Sequence, residues 1–471
     1  MRRTKIVCTI GPATDDEAIL ARLMDAGMNV ARLNFSHGTH GSHQATADRI
    51  RAVAEKKSLP IALLQDLSGP KIRVAKFANG SINLEVGQTF TLTTDEVAGD
   101  QNRVSVSYAG LPDDVKVGDR ILLADGSIEL RTSAVEEKNV QCEVVVGGPL
   151  SANKGINLPG SSLSVAALTD KDKRDLIFGL ELGVDYVAMS FVRRKADLEG
   201  VKEVMAAQDK HAPIIAKIEK HEALEHIDEI IEIAAGVMVA RGDLAVETSL
   251  ERVPLAQKTI IQKCNQAGKP VITATQMLKS MVDNPRPTRA EANDVANAVL
   301  DGSDAVMLSE ETTIGNYPVQ AARTMATIIE VTESDKLGDL KRYHHDYEKA
   351  TSIAHAVSHG AYEMARDLKA AAIITPTQSG STAHKISSHR PRQPIIALSP
   401  DSHVVRCLNL VWGVQPFLFE GHLTSDEMIE AAKDIALTSG LVNFGDVVVV
   451  TAGVPIAIPG TTNIIKVETL N

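Results

Sequence analysis

The sequence contains few aromatic residues and few cysteines. Aromatic side chains make up only 3% of the 471 residues, so the interior must be built from Val, Ile, Leu and Ala. Such an interior suits buried parallel strands and the helices that cover them. The four cysteines, Cys8, Cys142, Cys264 and Cys407, lie far apart along the chain, which excludes zinc or dithiol redox spacings. We therefore expect free, mostly buried thiols and a reducing compartment.

The sequence also lacks an excess of positive charge and any long apolar run. Its formal net charge is −11, which does not favour binding to nucleic acid or to anionic membranes. No apolar run approaches the length of a membrane span. Arg2 and Arg3 are not followed by the apolar segment of a signal peptide, because the short stretch Lys5–Gly11 is broken by Pro12. We therefore expect a cytoplasmic protein with no nucleic-acid partner and no membrane association.

Eight short apolar runs predict the strands of a (β/α)8 TIM barrel. Each run is rich in Val, Ile and Ala, and helical spacing fills most of the segments between them, as in strands that are buried on both faces. Eight strand–helix units in succession predict a closed barrel. The predicted strands are Lys5–Gly11, Val30–Ser36, Ile61–Leu67, Tyr186–Val192, Ile214–Glu219, Gly236–Leu244, Val271–Thr275 and Ala305–Glu310.

One connection interrupts this rhythm, between Leu67 and Tyr186. It has turn signals and strand-like alternation but no long helical stripe, which predicts an inserted small β-barrel domain that acts as a lid. Its clearest strand patterns are Thr89–Thr93, Arg103–Ser107, Arg120–Leu123 and Val140–Val146.

The pattern changes again after about Lys336. A helical stretch, Thr351–Leu368, precedes strands at Ala370–Thr375, Pro394–Leu398 and Asp446–Thr451, which predicts a C-terminal open α/β domain. The chain ends at Asn471, soon after the last predicted strand, so we expect no appended domain. The predicted divisions are residues 1–68 and 167–336 for the barrel, 69–166 for the inserted lid and 337–471 for the C-terminal regulatory domain.

Polar residues follow six of the predicted barrel strands, at the end where such barrels hold their active sites. One polar residue at a strand end is usually a solvated loop residue, but six strands that end alike favour a shared site. Glu219 and Asp243 offer oxygen ligands for a hard divalent cation such as Mg²⁺. Lys217 lies two residues before Glu219 on one strand, so both side chains face the same side. The strand-end residues are Arg32, Asn34, Ser36, His37, Asp66, Lys217, Glu219, Arg241, Gly242, Asp243, Thr273, Thr275, Ser309, Glu310 and Glu311.

These residue types indicate a reaction class. The planar guanidinium of Arg32 suits a phosphate or a carboxylate. Gly242 and Asp243 open a helix-like segment, so their backbone N–H groups can hold an anion. A cation, a lysine, an arginine and amide donors together form an electrostatic clamp for phosphoryl transfer, which depends on positioning and charge neutralisation more than on covalent catalysis.

Six longer stretches resemble the pyruvate kinase family. The motifs are long and in order, unlike a lone glycine-rich loop, and the similarity runs along essentially the whole chain. The resemblance implies transfer of a phosphoryl group from phosphoenolpyruvate to ADP, giving pyruvate and ATP in the last step of glycolysis. The stretches are Lys5–Thr14 (KIVCTIGPAT), Asn29–Gly38 (NVARLNFSHG), Ala216–Glu219 (AKIE), Val237–Leu244 (VMVARGDL), Thr273–Met281 (TATQMLKSM) and Pro287–Thr312.

The resemblance also implies roles for the matched catalytic residues. Lys217 would stabilise charge on the phosphoryl group and on the enolate oxygen, and Arg32 would contact the phosphoryl group. Glu219 and Asp243 would hold Mg²⁺ or Mn²⁺. Thr275 would help to protonate the enolpyruvate carbon through water, since its own alkoxide would be a poor base.

The substrate carboxylate and the nucleotide complete the implied site. The carboxylate would be bound by the backbone of Gly242 and Asp243 together with Thr275. Arg73 and Lys154 lie near the two edges of the inserted domain, and a lid hinged there could close its basic groups over the ADP phosphates. The implied nucleotide contacts are Pro12, Asn34, His37, Arg73 and Lys154, although His37 has a second interpretation as a plain strand-end polar residue.

One departure from the family concerns K⁺. Most familiar members hold this ion with an Asn, a Ser, an Asp and a Thr, with a Glu nearby. This chain has Asn34, Ser36 and Asp66, but Leu67 at the Thr position and Lys71 at the Glu position. A fixed ammonium from Lys71 could supply the charge that K⁺ brings, and two cations at one place would repel. We therefore predict that K⁺ is not required; the alternative is that Lys71 only faces solvent on the hinge.

The C-terminal domain contains a candidate effector loop, Thr375–Thr382 (TPTQSGST). In the family this loop binds an allosteric sugar phosphate, but here it has no Lys or Arg, so a sugar phosphate and a nucleotide both stay open. The alternative is an ordinary Ser/Gly turn with helix-capping residues. Hydroxyls and backbone amides that could cradle a phosphate belong to Thr377, Ser379, Gly380, Ser381 and Thr382.

The resemblance also implies a homotetramer.

Two other functions compete with this interpretation. Another barrel enzyme that acts on phosphoenolpyruvate or pyruvate, such as a mutase or an aldolase, would share a metal and a lysine but would not need the lid or Lys154. A non-catalytic effector-binding regulator with the same fold is the second alternative, and the presence of both Lys217 and Glu219 argues against it.

Overall fold

The computed structural model describes residues 1–160, 164–334, 352–419, 425–453 and 462–470. None of the helices in these ranges has the length and apolar character that crossing a membrane requires. The strands, numbered along the chain, are β1 (Lys5–Thr9), β2 (Val30–Asn34), β3 (Ala62–Asp66), β4 (Ser81–Leu84), β5 (Thr89–Thr93), β6 (Arg103–Ser105), β7 (Arg120–Leu123), β8 (Ile128–Glu136), β9 (Asn139–Val146), β10 (Gly148–Ser151), β11 (Ile156–Asn157), β12 (Tyr186–Met189), β13 (Ile214–Ile218), β14 (Gly236–Ala240), β15 (Val271–Ala274), β16 (Ala305–Leu308), β17 (Ala372–Pro376), β18 (Ile395–Ser399), β19 (Val414–Leu418), β20 (Val447–Gly453) and β21 (Thr462–Thr469).

Helices connect most of these strands outside the inserted segment. Short 3₁₀ turns at Leu250–Arg252 and Lys279–Val282 accompany them. The α-helices are α1 (Glu17–Asp25), α2 (His40–Lys56), α3 (Leu111–Asp114), α4 (Asp170–Leu182), α5 (Lys195–Ala207), α6 (His221–Glu225), α7 (Ile227–Ile233), α8 (Arg241–Glu247), α9 (Val253–Gln266), α10 (Arg289–Asp301), α11 (Glu310–Thr313), α12 (Pro318–Ser334), α13 (Ile353–Asp367), α14 (Ser381–Ser388), α15 (Ser402–Leu408) and α16 (Ser425–Thr438).

The predicted eight-stranded barrel is confirmed. Parallel strands close in the order β1-β16-β15-β14-β13-β12-β3-β2. In β1, Ile6 and Cys8 belong to the core between strands and helices, whereas Val7 belongs to the core inside the barrel. Because both faces are buried, these strands form continuous apolar runs in the sequence. Each predicted run continues past the carboxyl end of its strand, and those extra residues form the mouth of the barrel.

The segment between β3 and α4 is all-β apart from the four-residue helix α3. Six strands pair in the order β11-β7-β8-β9-β5-β6, and β10 pairs with β4. Both sheets contribute to one core, for example through Leu84, Phe90, Leu130 and Leu150. This shared core is what a small β-barrel domain requires, and its division from the barrel at residues 69 and 166 stays a prediction.

Gly69 turns the chain out of the barrel into the inserted segment. Its φ of +66° lies in the left-handed region that favours glycine. A Cβ atom at this position would lie 2.7 Å from the Phe191 ring and 2.9 Å from Cβ of Ser190. The Gly69 N–H also donates to Oδ1 of Asp172 at 3.1 Å. Both the backbone conformation and the close approach therefore require glycine here.

An open α/β domain follows the barrel, as predicted. Its sheet has the order β19-β18-β17-β20-β21, with the first four strands parallel and β21 antiparallel to β20. The strands β19 and β21 were not predicted, because both lie at sheet edges and are only partly buried, so they lack a continuous apolar run. The predicted boundary between residues 336 and 337 lies outside the described residues, as do Thr351 and Asn471.

The C-terminal domain covers the amino-terminal end of the barrel. Leu410 joins the core inside the barrel. Arg390 donates from Nη1 and Nη2 to the two carboxylate oxygens of Asp304, each at 2.9 Å, and Arg406 Nε donates to Oδ1 of Asp185 at 2.8 Å. Asp304 and Asp185 each precede a barrel strand, so these contacts leave the opposite end, where the polar strand ends meet, uncovered by this domain.

Candidate active site

A buried network of charges lies at the carboxyl ends of β2, β3 and β13. Lys217 Nζ lies 2.9 Å from Oε1 of Glu219 and 3.1 Å from Oδ1 of Asp66. Arg32 Nε donates to the other oxygen of Asp66 at 2.6 Å. Each of these four residues is at most 9% exposed. Two cations and two carboxylates therefore interact where little water screens them.

Burial and neighbouring charge act on these groups in opposite directions. Burial disfavours the charged form of Lys217, but Asp66 and Glu219 outweigh it and raise the pKa of the ammonium above its ordinary value. Burial likewise opposes ionisation of Asp66, yet Arg32 and Lys217 hold the pKa of that carboxyl below its ordinary value. For Glu219, burial and the nearby Asp243 carboxylate raise the pKa despite Lys217. The lysine is thus a fixed cation, and Glu219 lacks full compensation of its charge.

Ser190 and Phe191 complete the network, and sequence reasoning missed both. Lys217 Nζ donates to Ser190 Oγ at 2.6 Å, and that hydroxyl donates to the Leu67 carbonyl at 2.7 Å. The Phe191 N–H donates to Oε2 of Glu219 at 2.7 Å. Both residues directly follow β12, whose end carries no charged residue, so a search for charged strand ends passed over it. Their position after a barrel strand was the signal that could have found them.

Asp243 lies in the first turn of α8, directly after β14. Its Oδ1 atom lies 3.3 Å from Nζ of Lys71, which comes from the chain that enters the inserted segment. In the part of the chain that the structure describes, Lys71 makes no hydrogen bond or ion pair with Asn34, Ser36 or Asp66. Among the three predicted cation ligands, Asn34 and Asp66 are paired on the neighbouring strands β2 and β3, and the Ser36 N–H donates to Oδ1 of Asn34 at 3.2 Å. The replacement of K⁺ by Lys71 therefore stays a prediction.

Thr275 has an unusual backbone at the end of β15. Its φ is +70° and that of Gln276 is +54°. Non-glycine residues rarely adopt this region, at a cost of about 1–3 kcal/mol each. Arg241 supports the turn by donating from Nη2 to the Thr275 carbonyl at 2.8 Å and from Nε to the Ala274 carbonyl at 3.1 Å. The Gly242 N–H donates to the Thr275 hydroxyl at 2.8 Å, so an amide and a hydroxyl lie together at the mouth.

Pro12 and His37 follow the neighbouring strands β1 and β2, and Asn34 is the last residue of β2. Pro12 is exposed, and His37 donates its N–H to the Asn34 carbonyl at 3.2 Å. The His37 carbonyl accepts from Nε2 of His43 at 2.9 Å, in the helix that follows. These three candidates therefore lie on one side of the mouth.

Arg73 and Lys154 lie together on the two segments that join the inserted domain to the barrel. Arg73 pairs with Gly155 in an antiparallel bridge, and its Nη1 donates to the Asn153 carbonyl at 2.8 Å. Lys154 is exposed and Arg73 is half-buried. No hydrogen bond in the described ranges joins either residue to Pro12, Asn34 or His37, so the nucleotide candidates form two separate groups.

Some strand-end residues have structural rather than functional partners. Thr273 shares a hydrogen bond of 2.7 Å with the Ser303 hydroxyl, on the face of β15 opposite to Ile272 and Ala274. Glu311 accepts from the N–H groups of Leu278 at 3.0 Å and Ser309 at 2.7 Å, which fixes the loops after β15 and β16. These internal hydrogen bonds give both side chains a structural role.

The candidate effector loop runs from β17 to α14. Thr377 Oγ1 accepts from the Gly380 N–H at 3.0 Å, and Gly380 has a φ of +81°. The buried Thr382 shares a hydrogen bond of 2.6 Å with the Thr462 hydroxyl. Ser379 is exposed and Ser381 partly exposed. Two of the candidate hydroxyls are thus engaged within the domain, and the effector role of the loop stays a prediction.

A small cleft lies between the inserted domain and the barrel. Two of its residues also contact proposed metal ligands, since Lys71 pairs with Asp243 and Phe191 donates to Glu219. The cleft therefore adjoins the site. Polar residues that line it are Lys71, Asn157, Arg193, Lys220, Glu222 and Glu247.

Comparisons with known proteins agree along the whole chain. The family described as pyruvate kinase, barrel domain, matches residues 1–322, and pyruvate kinase, alpha/beta domain, matches residues 355–468. Pyruvate kinase 2 of Synechocystis sp. is 49% identical over 99% of this chain and 79% of that protein, and the Geobacillus stearothermophilus pyruvate kinase is 48% identical over 100% and 81%. A crystal structure of a pyruvate kinase from Cryptosporidium parvum superposes with a TM-score of 0.93 at 37% identity, over 100% of this chain and 96% of that one. The chain belongs to the pyruvate kinase family.

Proposed function

We propose that the chain transfers the phosphoryl group of phosphoenolpyruvate to ADP and releases pyruvate and ATP. The observation that carries this proposal is the buried network in which Lys217 contacts Glu219 and Asp66, with Arg32 on the other side of Asp66. Phosphoryl transfer spreads negative charge over several oxygen atoms. Fixed cations that are already oriented in a site poor in water stabilise that charge without reorganisation.

Arg32 and Lys217 are the residues that would meet the phosphoryl group. Arg32 is held by Asp66 and by Thr9, whose Oγ1 accepts from Nη1 at 2.9 Å. Its Nη2 makes no hydrogen bond to any described residue, so this N–H group is available to a phosphoryl oxygen. Lys217 would also stabilise the developing enolate oxygen, because its raised pKa keeps it charged throughout.

Glu219 and Asp243 would hold the divalent cation, Mg²⁺ or Mn²⁺. Carboxylate oxygens suit such hard ions. The Asp243 charge helps to raise the pKa of Glu219, because the two negative charges repel each other. A bound cation would relieve this repulsion. When bound, the cation supplies charge neutralisation at the phosphoryl oxygens. Lys71, now 3.3 Å from Oδ1 of Asp243, would then move away from that oxygen, because an ammonium and a metal ion on one carboxylate repel.

Thr275 and Gly242 would hold the substrate carboxylate. The Gly242 amide and the Thr275 hydroxyl lie 2.8 Å apart, and Asp243 follows with a second backbone amide. Such amide donors are typical of anion sites. Thr275 would additionally pass a proton to the enolpyruvate carbon through water, since a hydroxyl serves as a relay without becoming an alkoxide.

Family membership supports further proposals on nucleotide binding, effector binding and oligomeric assembly. Arg73 and Lys154, carried by the inserted lid, would contact the ADP phosphates together with Pro12, Asn34 and His37 at the barrel mouth. The loop 375–382 would bind a sugar-phosphate or nucleotide effector. We also propose a homotetramer and a cytoplasmic location, in keeping with a glycolytic role.

The requirement for K⁺ is a separate part of the proposal. Lys71 stands where most members have a Glu, and its ammonium lies within the site, at Asp243. Once the divalent cation has displaced it from Asp243, the ammonium would remain in the site and replace the positive charge that K⁺ brings. We expect full activity when tetramethylammonium replaces K⁺, and a large drop would refute this part.

The function itself is tested by pyruvate formation from phosphoenolpyruvate with ADP, with and without Mg²⁺. We expect pyruvate and ATP in equal amounts and only in the presence of both ADP and the metal. A mutase or an aldolase would consume substrate without ADP, and a regulator would form no product, so pyruvate that is independent of ADP, or none at all, overturns the proposal.

A further inference from the structure

Three segments meet at one buried carboxylate between the lid and the barrel. Glu247 Oε1 lies 2.8 Å from Nζ of Lys220 and accepts from Nδ2 of Asn157 at 2.8 Å. The three residues are only 3–5% exposed. Lys220 directly follows Glu219 at the end of β13, Glu247 ends α8, and Asn157 belongs to β11 of the inserted domain. One oxygen atom therefore joins the lid to two elements of the barrel mouth.

The same helix face carries the second contact with the lid. Asp243 and Glu247 are four residues apart in α8, so their side chains lie one above the other on one face. Asp243 pairs with Lys71 on the chain that enters the lid, and Glu247 bonds Asn157 on the chain that leaves it. Both chains are thus docked on α8, one helical turn apart.

The two docked chains also carry the proposed nucleotide residues. Arg73 lies two residues after Lys71, and Lys154 lies three residues before Asn157. The orientation of these chains on α8 therefore sets where the two basic groups stand over the mouth. Of the two docking contacts, the one at Asp243 involves a proposed metal ligand and would break when the metal binds. The Asn157–Glu247 contact involves no proposed ligand and would persist.

We propose that Glu247 is a positioning residue that acts as the fixed pivot of the lid. Through Asn157 it sets the angle at which the lid presents Arg73 and Lys154 to the nucleotide, and through Lys220 it fixes the end of β13 beside Glu219. The part of this inference that concerns the nucleotide rests on the proposed function. Oε1 of Glu247 serves both donors, and Oε2 accepts from no described residue.

The variant Asn157→Ala tests the pivot, since it removes the link to the lid and keeps the Lys220–Glu247 ion pair. The loss of a buried hydrogen bond to a charged group is large enough to change a binding constant about tenfold. We expect the KM for ADP to rise about tenfold while the KM for phosphoenolpyruvate and kcat stay within about twofold. Glu129→Gln is the matched control, because it neutralises a Glu of the lid whose partner, Arg120, lies in the same sheet. It should leave all three constants unchanged.

A second readout uses the metal-free protein without substrates. Hydrogen exchange at residues 69–74 and 153–157 should become faster in Asn157→Ala but not in Glu129→Gln, because only the former releases the lid from α8. The proposal is overturned if Asn157→Ala matches the wild type in either the KM for ADP or this exchange, or if both variants change alike. If the wild type forms no pyruvate in the presence of ADP, only the proposed function is refuted. The hydrogen-exchange comparison would still decide whether Glu247 anchors the lid.

Discussion

Lys217 and Glu219, two residues apart at the carboxyl end of β13, form a buried ion pair with 2.9 Å between Nζ and Oε1. Lys217→Met would remove the cation that stabilises the transferring phosphoryl group. We expect kcat to fall at least about 10³-fold, in keeping with the loss of a preorganised electrostatic group. The variant should also lose about 3–5 kcal/mol of stability, because Glu219 is left buried without its partner.

Steady-state kinetics and thermal melting check both parts of this expectation. Lys56→Met is a suitable control, since Lys56 pairs with Glu17 on the outer surface at 3.3 Å and both side chains are more than half exposed. It should leave kcat unchanged and alter stability by less than about 1 kcal/mol. A Lys217→Met protein that turns over at the rate of this control would contradict the assigned role.

Gly69→Ala should disturb the site from the hinge of the lid. A new Cβ would meet the Phe191 ring at 2.7 Å and Cβ of Ser190 at 2.9 Å, and Ser190 contacts Lys217 at 2.6 Å. We expect a loss of about 1–3 kcal/mol from this crowding, in addition to about 1 kcal/mol for the left-handed backbone. A shift of Ser190 also misplaces the ammonium, so kcat should fall by about tenfold or more.

Gly80→Ala separates these two causes. Gly80 has a φ of +79°, yet a Cβ there meets nothing within 4 Å. It should show the backbone loss of about 1 kcal/mol without the loss of kcat. Urea unfolding and kinetics of the two variants give the comparison, and equal behaviour would mean that crowding at Ser190 plays no part.

The barrel and the strand ends of the site were predictable from sequence because strands buried on both faces leave continuous apolar runs. Lys217, Glu219 and Asp243 stand directly at the ends of such runs. What the sequence does not contain is the pairing across strands. Nothing in the order of residues indicates that Asp66 receives both Arg32 and Lys217, because that contact depends on the stagger of three strands around a closed sheet.

Uncharged and edge elements were the parts that sequence reasoning missed. Ser190 supplies a hydroxyl at the end of a strand with no charged residue. The strands β19 and β21 are edge strands with partly exposed faces, so no apolar run marks them. Lys71 was expected beside Asn34, Ser36 and Asp66, and the described contact is instead with Asp243, since the lid chain that carries it passes over α8.

Lys71→Met tests whether the lysine supplies the charge that K⁺ brings elsewhere. Removing the ammonium should lower activity by about tenfold in tetramethylammonium, because a charge in a partly buried site contributes on the order of 1–2 kcal/mol. Added K⁺ should restore part of the loss in this variant and have no effect on the wild type. Initial rates in a titration with KCl at constant ionic strength provide the measurement. A variant that is fully active without K⁺ would show that Lys71 has no such role.

Lys5 predicts how stability depends on pH. This lysine is 1% exposed, and its Nζ donates to the Val414 carbonyl at 2.6 Å, across the contact between the barrel and the C-terminal domain. Burial, with the nearby Arg2, lowers its pKa from 10.5 to about 7. Between these two values the unfolded chain binds more protons than the folded one, so the free energy of unfolding should rise with pH. The stability contributed by the neutral amine is therefore present at high pH and is lost as the pH falls towards 7.

The variant Lys5→Met isolates this effect, because it has a similar volume and no charge to bury. Its stability should lack the rise between pH 7 and pH 9.5 that Lys5 gives the wild type, so the difference in Tm, wild type minus variant, should grow with pH. At pH 7 the variant avoids the cost of burying a charge but loses about 1 kcal/mol with the hydrogen bond to Val414. Apart from that loss, it should be at least as stable as the wild type. Lys56→Met, at a side chain that is 69% exposed, should run parallel to the wild type over the same range. A wild type and a Lys5→Met variant whose Tm values also run parallel would mean that the buried amine keeps its proton, held by charges such as Glu333.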